Sequence, residues 1–337
     1  MSFPFGARRI GIGEPVLVIA EIGINHEGDA EVCARMIEQA AASGADAIKL
    51  QTIDADRNYA PDTESHRLFK ASELDRGTTA RMFTLAREHG TEPFSTVGDL
   101  ATLEWIETLA PAGYKISSGL LTCRPVIARA ARTGKPVLMS TGMAEIEDID
   151  GAIDSARGVG GVALFQCTSI YPAPLEILDL NGIHWLEQRY GVPVGFSDHS
   201  IGPEAAALAV AAGAVMIEKH FSLDPSRPGY DHPLSLDPKG FRLMVEGIRR
   251  AEIARGQPGK HTRPETRAVR QRMSRYLGVV VHVAVGERLD EKNLSFLRLA
   301  DPKGALPAAA FDEVVGARAT RRLEAFTGLT PSCFRHE

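Results

Sequence analysis

Eight short apolar runs are spaced along this chain, and each ends in polar side chains. The runs are VLVIAEIG (16–23), DAIKLQT (46–52), EPFSTV (92–97), GYKISSG (113–119), PVLMSTG (136–142), VALFQCTS (162–169), VPVGFSDH (192–199) and VMIEKHF (215–221). A near-continuous apolar run indicates a strand buried on both faces, as in a parallel sheet covered by helices. Functional residues at the C-terminal ends of such strands are typical of a (β/α)8 barrel. The sequence therefore predicts an α/β fold, a (β/α)8 TIM barrel with its chemistry at one mouth.

The chain changes character after the eighth run and its following helix. At 337 residues it is long enough for one barrel of roughly 250 residues and a small second domain. The stretch 257–275 is polar and basic without apolar periodicity, so we expect a linker with one helical turn. From residue 276, short apolar runs and turns replace the strand–helix rhythm. We therefore expect a TIM-barrel catalytic domain over 1–256, a linker over 257–275 and a small, mainly β domain over 276–337.

Composition and charge exclude several classes of protein. The hydrophobic fraction of 44% and the charged fraction of 24% are ordinary for a soluble globular protein. A net charge of −5 gives no sign of a nucleic-acid surface, and no stretch approaches the roughly 20 apolar residues of a membrane span. The start of the chain lacks the apolar core of a signal peptide. Four scattered cysteines favour a reduced, cytoplasmic protein: Cys33, Cys123, Cys167 and Cys333.

Two histidines end the last two runs. His199 and His220 close neighbouring strands, so they face the same rim of the predicted barrel. Neutral imidazoles are common ligands of divalent metals, and two of them without a nearby cysteine leave positions open for water and substrate. The alternative is that each ring only hydrogen-bonds a neighbouring strand or loop. The pair predicts a metal site that acts as a Lewis acid.

Two lysines lie among hydroxyl groups at the same end of the predicted barrel. A lysine there is costly to desolvate unless it meets an anion, which favours a cradle for phosphate or carboxylate. One alternative is an ion pair with Glu21 or Glu218; another is a Schiff-base lysine, against which the histidine pair argues because a metal already activates the carbonyl. The predicted cradle comprises Lys49, Thr96, Lys115, Ser118, Ser140 and Ser197.

Three further residues at this end are candidates for contact with a polar substrate. Glu21 lies at the end of the first run, Tyr171 follows the sixth, and Asp231 lies in the loop after the eighth. Carboxylates in such positions bind sugar hydroxyls or move protons. Taken alone, an aspartate in a loop rich in glycine and proline caps a turn, and a loop tyrosine packs its own loop.

Together these motifs resemble the sialic acid synthase family, phosphoenolpyruvate-condensing enzymes that make nonulosonic acids. The resemblance rests on IAEIGINHEG (19–28), AIKLQT (47–52), YKISSG (114–119), MSTGM (139–143), CTSIYP (167–172), GFSDHS (195–200), IEKHFSLD (217–224) and RPGYDHPLSL (227–236), in the family's order. These motifs cover the whole predicted barrel. The stretch VAVGERLDEKNLSFLR (283–298) is similar to the family's C-terminal antifreeze-like (SAF) domain.

The resemblance implies a metal and a reaction. His199 and His220 match the ligands of a divalent metal, Mn²⁺ or Mg²⁺, and with Glu21 they are the expected catalytic residues. The cradle of lysines and hydroxyls matches the phosphoenolpyruvate pocket. The implied reaction joins C3 of phosphoenolpyruvate to the aldehyde of an open-chain N-acyl amino sugar such as N-acetylmannosamine. Phosphate then leaves by C–O cleavage.

The resemblance also implies how the amino sugar is bound. Glu21, Tyr171 and Asp231 match residues near the sugar. Arg298 falls where the antifreeze-like domain supplies an arginine to the partner subunit's site, which implies a domain-swapped homodimer.

The sequence departs from the family pattern at four places. Leu120 replaces a usual acidic residue, Ser169 replaces an amide of many members, and Tyr230 replaces a usual proline. RLADPKG (298–304) replaces the usual turn at Arg298. The sugar therefore stays open between N-acetylmannosamine and the diacetamido-trideoxyhexose of a legionaminate or pseudaminate synthase. Two other classes also stay open, a metal-dependent pyruvate aldolase and a non-enzymatic sugar-phosphate sensor.

Overall fold

The computed structural model describes residues 2–158, 160–256 and 259–336. The chain divides into two compact units, residues 1–256 and 257–337. No helix within the described ranges is both long and apolar enough to cross a bilayer.

The first unit is a closed barrel of eight parallel strands, as the apolar runs predict. The barrel strands are β3 (Leu17–Gly23), β4 (Ala47–Thr52), β5 (Glu92–Val97), β6 (Tyr114–Ile116), β7 (Val137–Ser140), β8 (Val162–Cys167), β9 (Val194–Asp198) and β10 (Met216–His220). Neighbouring strands are hydrogen-bonded in the order β10-β3-β4-β5-β6-β7-β8-β9. Most strands end one to three residues inside the predicted bounds, because the polar residues after each run belong to exit loops.

Helices follow the strands and bury their apolar faces against them. Asp29 caps the first helix, as predicted, by accepting hydrogen bonds from the backbone N–H groups of Glu31 and Val32. Short 3-10 segments follow β6, β8 and β10 at 118–120, 175–177 and 232–234. The helices are α1 (Ala30–Ala42), α2 (Ala55–Asn58), α3 (Glu64–Ser72), α4 (Arg76–Glu88), α5 (Leu100–Glu107), α6 (Arg124–Arg132), α7 (Ile146–Ser155), α8 (Asn181–Tyr190), α9 (Glu204–Ala211) and α10 (Pro238–Arg255).

Side chains alternate between two cores along each strand, because successive residues of a strand point to opposite faces. Outward-facing residues of β3, such as Val18 and Ala20, pack against the helices. Inward-facing residues near the strand beginnings, such as Leu17 and Ile19, form a separate apolar cluster inside the barrel. Further along the same face of β3 comes Glu21, which lines the cavity described below. The interior of the barrel thus changes from apolar to polar along its length.

An N-terminal hairpin, which the sequence analysis did not anticipate, belongs to the interior cluster. Its strands are β1 (Ser2–Phe5) and β2 (Arg8–Gly11), paired antiparallel. Phe5 is fully buried and packs edge-to-face on Phe94 of β5, with ring centroids 5.1 Å apart. The hairpin therefore closes the N-terminal end of the barrel.

The second unit is a small domain of short strands, as predicted. Its elements are α11 (Pro264–Met273), β11 (Tyr276–Val279), β12 (Leu294–Leu297), α12 (Phe311–Val314), β13 (Arg318–Ala319), β14 (Thr327–Gly328) and β15 (Phe334–Arg335). β12 and β14 each pair antiparallel with β11, and β13 pairs with β15. The core is a single small apolar cluster that includes Leu277, Val279 and Leu329.

The stretch 257–275 contains more helix than predicted. α11 has ten residues rather than one turn, and none of them is buried. Pro264 at its first position and a sequence made mostly of good helix formers, among them three arginines, favour a helix without help from packing. Apolar periodicity, which the sequence analysis required, is a signal of burial and is missing from an exposed helix.

Candidate active site

A cavity of about 620 Å³ opens at the C-terminal end of the barrel. Ten of the predicted site residues line it: Glu21, Lys49, Lys115, Ser118, Ser140, Tyr171, Ser197, His199, His220 and Asp231. Thr96 is not among the lining residues, although it is buried at the end of β5 and faces the barrel interior. Arg298 belongs to the second unit, where it follows β12 with an exposed side chain. The amino-sugar role of Arg298 stays a prediction.

One carboxylate joins the two lysines of the cavity. Glu218 Oε1 lies 3.0 Å from Lys49 Nζ and 3.1 Å from Lys115 Nζ, and it accepts a hydrogen bond of 3.0 Å from Ser197 Oγ. Lys49 also forms an ion pair with Glu21, its register partner across β3 and β4. All four charged residues are almost completely buried. The ion pairs named as an alternative therefore form for both lysines, while their role as an anion cradle stays a prediction.

Burial and charge shift the pKa values within this cluster. Burial lowers the pKa of Lys49 to about 7, with the Lys115 ammonium also lowering it and Glu218 opposing the shift. Burial acts to raise the pKa of Glu218, but the two ammonium groups outweigh it and hold that pKa below its usual range. Glu218 is accordingly an anion, and it offsets the repulsion between two lysines held in one small space.

Several buried polar atoms of the site have no hydrogen-bond partner within the described residues. Buried polar groups are almost always satisfied, so a cluster of exceptions marks a place built to meet another molecule. Neither carboxylate oxygen of Glu21 accepts a hydrogen bond of acceptable geometry, although one of them forms the ion pair with Lys49. The atoms are Glu21 Oε1 and Oε2, Thr96 Oγ1, Ser140 Oγ, Glu218 Oε2 and His220 Nδ1.

The two predicted metal-binding histidines face each other. The ring centroids of His199 and His220 are 5.5 Å apart. His199 Nδ1 donates to the carbonyl oxygen of Thr168 at 2.8 Å, which leaves Nε2 as the unprotonated nitrogen that carries the lone pair. Tyr171 stacks on His199 and its hydroxyl lies 3.1 Å from that Nε2.

Both histidines are neutral in this environment. Burial lowers the pKa of His199 to about 4, and the neighbouring His220 contributes. Burial lowers the pKa of His220 to about 3, and the ammonium of Lys49 adds to the effect. Neutral imidazole is the form that binds metals.

The donor set suits a divalent metal that takes only two ligands from the protein. His199 offers Nε2, which the Tyr171 hydroxyl contacts at 3.1 Å, and His220 has a buried nitrogen without a hydrogen bond. Asp231 Oδ2 lies 3.4 Å from His220 Nδ1. Across the described ranges, no group of three or more His, Cys, Asp and Glu residues is arranged to hold a metal. The remaining ligands of such a metal would therefore come from water and substrate.

The loop after β10 places Asp231 at the cavity through contacts with the loop after β3. Asn25 Oδ1 accepts from the backbone N–H of Asp231 at 3.0 Å, and Ser235 Oγ donates to the carbonyl oxygen of Asp231 at 2.6 Å. Burial raises the pKa of Asp231, although nearby histidines and Lys49 oppose the shift. The turn-capping alternative does not describe this residue, whose carboxylate points towards His220.

The positions that depart from the family pattern fall in different places. Leu120 packs against the outer core and does not line the cavity. Ser169 and Tyr230 do line it. Tyr230 has a φ of 48°, which proline cannot adopt because its ring fixes φ near −65°. The loop at 230 therefore takes a backbone course that the usual proline would forbid.

Several residues that line the cavity were not predicted from the sequence. Leu68 and Phe69 lie on α3, within the long segment after β4, and Met143 follows β7. The length of that segment was a usable signal, because long loops at a barrel mouth commonly carry function. Nothing in the local pattern showed which of its residues turn inward. The missed residues are Ile24, Gln51, Glu64, Leu68, Phe69, Ser117, Gly119, Met143, Cys167 and Gly229.

Comparison with known proteins agrees with the resemblance seen in the motifs. Residues 36–260 match the NeuB family, and residues 275–335 match the SAF domain. The chain is 31% identical to the N,N'-diacetyllegionaminic acid synthase of Legionella pneumophila over 96% of both chains. It is 32% identical to the pseudaminic acid synthase of Helicobacter pylori, over 94% of this chain and 97% of that one. Its structure resembles an N-acetylneuraminic acid synthetase from Leptospira borgpetersenii, with a TM-score of 0.78, 29% identity and coverage of 81% of this chain and 97% of that chain.

Proposed function

This chain belongs to the NeuB family, and we propose that it is a nonulosonic acid synthase that condenses phosphoenolpyruvate with an open-chain N-acyl amino sugar. The balanced reaction takes up one water and gives a 2-keto-3-deoxy sugar acid and phosphate. A new C–C bond joins C3 of the enolpyruvate to the aldehyde carbon. Water adds at C2, and the C–O bond to phosphate breaks.

The observation that carries the proposal is the buried cluster of Lys49, Glu218 and Lys115 beside unpartnered hydroxyls. Two ammonium groups share a single carboxylate oxygen of Glu218, so each keeps donors free for an anion. Thr96 and Ser140 add two buried hydroxyls without partners. Phosphoenolpyruvate carries a carboxylate and a phosphate, which fit a pocket of cations and hydroxyls.

The histidine end of the cavity would receive the aldehyde of the sugar. His199 and His220 would hold the divalent metal, which when bound supplies a Lewis acid that polarises a carbonyl oxygen. Glu21, ion-paired to Lys49, lies at the end of β3 between this end and the lysine cluster, where it can hold a proton. Thr168 fixes the orientation of the His199 ring, and Asp231 faces His220.

A phosphate-release assay tests the proposal. Phosphoenolpyruvate is supplied with a panel of N-acylated hexosamines, with and without a chelator. We expect phosphate release that depends on both a sugar and a divalent metal. Turnover of pyruvate without phosphate release would instead identify an aldolase, and binding without turnover in the presence of metal would identify a sensor.

Isotope labelling tests the route of phosphate loss. Phosphoenolpyruvate labelled with 18O in the bridging oxygen should transfer the label to phosphate, because the C–O bond breaks. Label retained in the keto acid would rule this route out.

A second acceptor class, the diacetamido-trideoxyhexose of a legionaminate or pseudaminate synthase, is favoured by the apolar part of the cavity. Ile24, Leu68, Phe69 and Met143 line it together with Tyr230. A methyl group at C6 and a second N-acyl group expose more apolar surface than the hydroxyls of N-acetylmannosamine. Relative kcat/KM for the two sugars decides between them: a preference of at least about tenfold for the deoxy sugar, worth about 1.4 kcal/mol, would support this class.

We further propose that the enzyme works as a domain-swapped homodimer, with Arg298 of one subunit reaching the sugar in the other. Subunits carrying Arg298→Ala and His199→Ala should each be inactive and should partly restore activity when refolded together. Full activity of Arg298→Ala alone would refute the role of that residue. Failure of two inactive variants to complement would refute the exchange of domains.

All four cysteines of the chain are free. Free thiols persist in reducing compartments, which supports a cytoplasmic location.

A further inference from the structure

A fully buried ion pair lies directly behind the two histidines, on the outer face of the barrel. Asp198 and Lys219 are register partners on β9 and β10, and both side chains are 0% exposed. Lys219 Nζ donates to Asp198 Oδ2 at 3.0 Å. Because side chains alternate along a strand, the residues that follow them, His199 and His220, face the cavity instead.

The ammonium of Lys219 holds the chain on both sides of His199. Before the histidine it binds the carboxylate of Asp198, and after it the carbonyl oxygen of Ser200. Asp198 Oδ1 in turn accepts from the backbone N–H of Ser200 at 2.8 Å and from its hydroxyl at 2.6 Å. The backbone around His199 is thereby fixed to the residue that precedes His220.

The apolar surroundings of this pair make it an unfavourable way to stabilise the fold. The outward-facing neighbours on the same strands are Phe196, Ile217 and Phe221, all part of the apolar layer against the helices. Replacing a buried ion pair by neutral groups of similar shape is often neutral or stabilising, because desolvation of two charges offsets their attraction. A role in specifying geometry would account for two charges in this layer.

We propose that Asp198 and Lys219 are positioning residues that set the spacing and orientation of the two histidines for a divalent cation. The inference rests on the proposed metal site. It assigns to the outer face of the barrel a function that the cavity residues alone do not reveal. The pair does not touch substrate or metal, and it acts through the backbone of β9 and β10.

The double variant Asp198→Asn/Lys219→Met tests the proposal. It removes both charges with little change in shape, and the amide oxygen of the new asparagine still accepts from Ser200. We expect the metal-free protein to melt within about 4 °C of the wild type. We expect its Mn²⁺ affinity, measured by calorimetry or electron paramagnetic resonance, to fall about 10- to 100-fold, as for other residues that orient metal ligands. Affinity for phosphoenolpyruvate should stay within about threefold.

A control variant removes an ion pair at the other end of the barrel. Asp46 and Arg249 pair at 2.9 Å, away from the cavity residues. Asp46→Asn/Arg249→Met should lower the melting temperature without changing Mn²⁺ affinity. Unchanged Mn²⁺ affinity in a folded Asp198→Asn/Lys219→Met protein would overturn the proposal.

Two further variants keep the outcome decisive. If the double variant does not fold, Ser200→Ala removes one hydrogen bond to Asp198, and unchanged Mn²⁺ affinity in that protein refutes the positioning role. His199→Ala is measured in parallel. If His199→Ala loses Mn²⁺ binding but Asp198→Asn/Lys219→Met keeps it, only the positioning role is refuted. If Mn²⁺ binding survives in His199→Ala, the metal site itself is refuted.

Discussion

The N-terminal and C-terminal halves of the barrel interior are built from the same strands but from different side chains. Near the strand beginnings, inward-facing residues such as Ile19, Phe94 and Met216 pack with the hairpin residue Phe5 into an apolar cluster. Two residues further along the same faces, Glu21, Thr96 and Glu218 present polar groups to the cavity end, several of them unpartnered. Lys115 lies at the boundary, with its ammonium 5.1 Å from the ring centroid of Phe165.

This difference separates the residues that stabilise the fold from those that we propose carry out the chemistry. Burial of apolar side chains contributes roughly 25 cal/mol per Å², so the closed end of the barrel contributes free energy of folding. Buried charges and unpartnered hydroxyls cost free energy until a ligand satisfies them. Substitutions at the two ends should therefore affect different measurements.

The largest effect is expected at the mouth, on turnover. His220→Ala or His199→Ala removes one of the two proposed protein ligands of the metal, and we expect kcat to fall at least about 1,000-fold, since Lewis-acid catalysis contributes several kcal/mol. Phosphoenolpyruvate binding, measured by calorimetry, should remain detectable because other strands build the anion pocket. Turnover near the wild-type level in both variants would contradict the assignment.

At the closed end of the barrel we expect a loss of stability that is comparable in free energy to the loss of turnover at the mouth. Phe5→Ala should lower the free energy of unfolding by about 3–5 kcal/mol, because Phe5 is fully buried in the interior cluster. Urea denaturation measures the change, and kcat of the folded protein should stay the same. Ile12→Ala is the control, since Ile12 is 55% exposed and its loss should cost little. A large loss of kcat in folded Phe5→Ala would remove the distinction between the two ends.

A smaller effect is expected at Thr96, where a buried hydroxyl lowers the stability of the fold and is proposed to aid substrate binding. Thr96→Val removes a buried hydroxyl without a partner, so the protein should become no less stable, while KM for phosphoenolpyruvate rises about tenfold. Thr91→Val is the matched control: its buried hydroxyl donates to the carbonyl oxygen of Ala86 at 2.8 Å. That variant should lose about 1 kcal/mol of stability with KM unchanged. If both variants changed stability and KM in the same way, Thr96 would have no role in binding phosphoenolpyruvate.

The smallest effect is expected at the rim. Met143 is 63% exposed and lines the cavity, so Met143→Ala should leave stability within about 0.5 kcal/mol. We expect KM for the amino sugar to rise about three- to tenfold while KM for phosphoenolpyruvate is unchanged. Ile253→Ala, at an 82% exposed position on α10, should change neither constant. If only KM for phosphoenolpyruvate changed, Met143 would contact phosphoenolpyruvate rather than the amino sugar.

The barrel and most of the residues that line its cavity were predictable because their signals are local. The seventh and eighth runs each show, within a few residues, a buried strand and the polar side chains at its C-terminal end. The pairing of Glu218 with both lysines was open from sequence, because it depends on which of several inward-facing groups meet across the barrel. The position of Phe5 was not predictable either, since a two-stranded hairpin acquires its partners from strands far along the chain.

The hairpin at the closed end also has a consequence for the order of folding. β1 and β2 precede every strand they pack against, and their interior cluster includes Phe94, Phe165 and Met216, from β5, β8 and β10. During synthesis, Phe5 therefore leaves the ribosome long before its binding site exists. The hairpin can therefore complete its packing only after the eighth barrel strand has been translated.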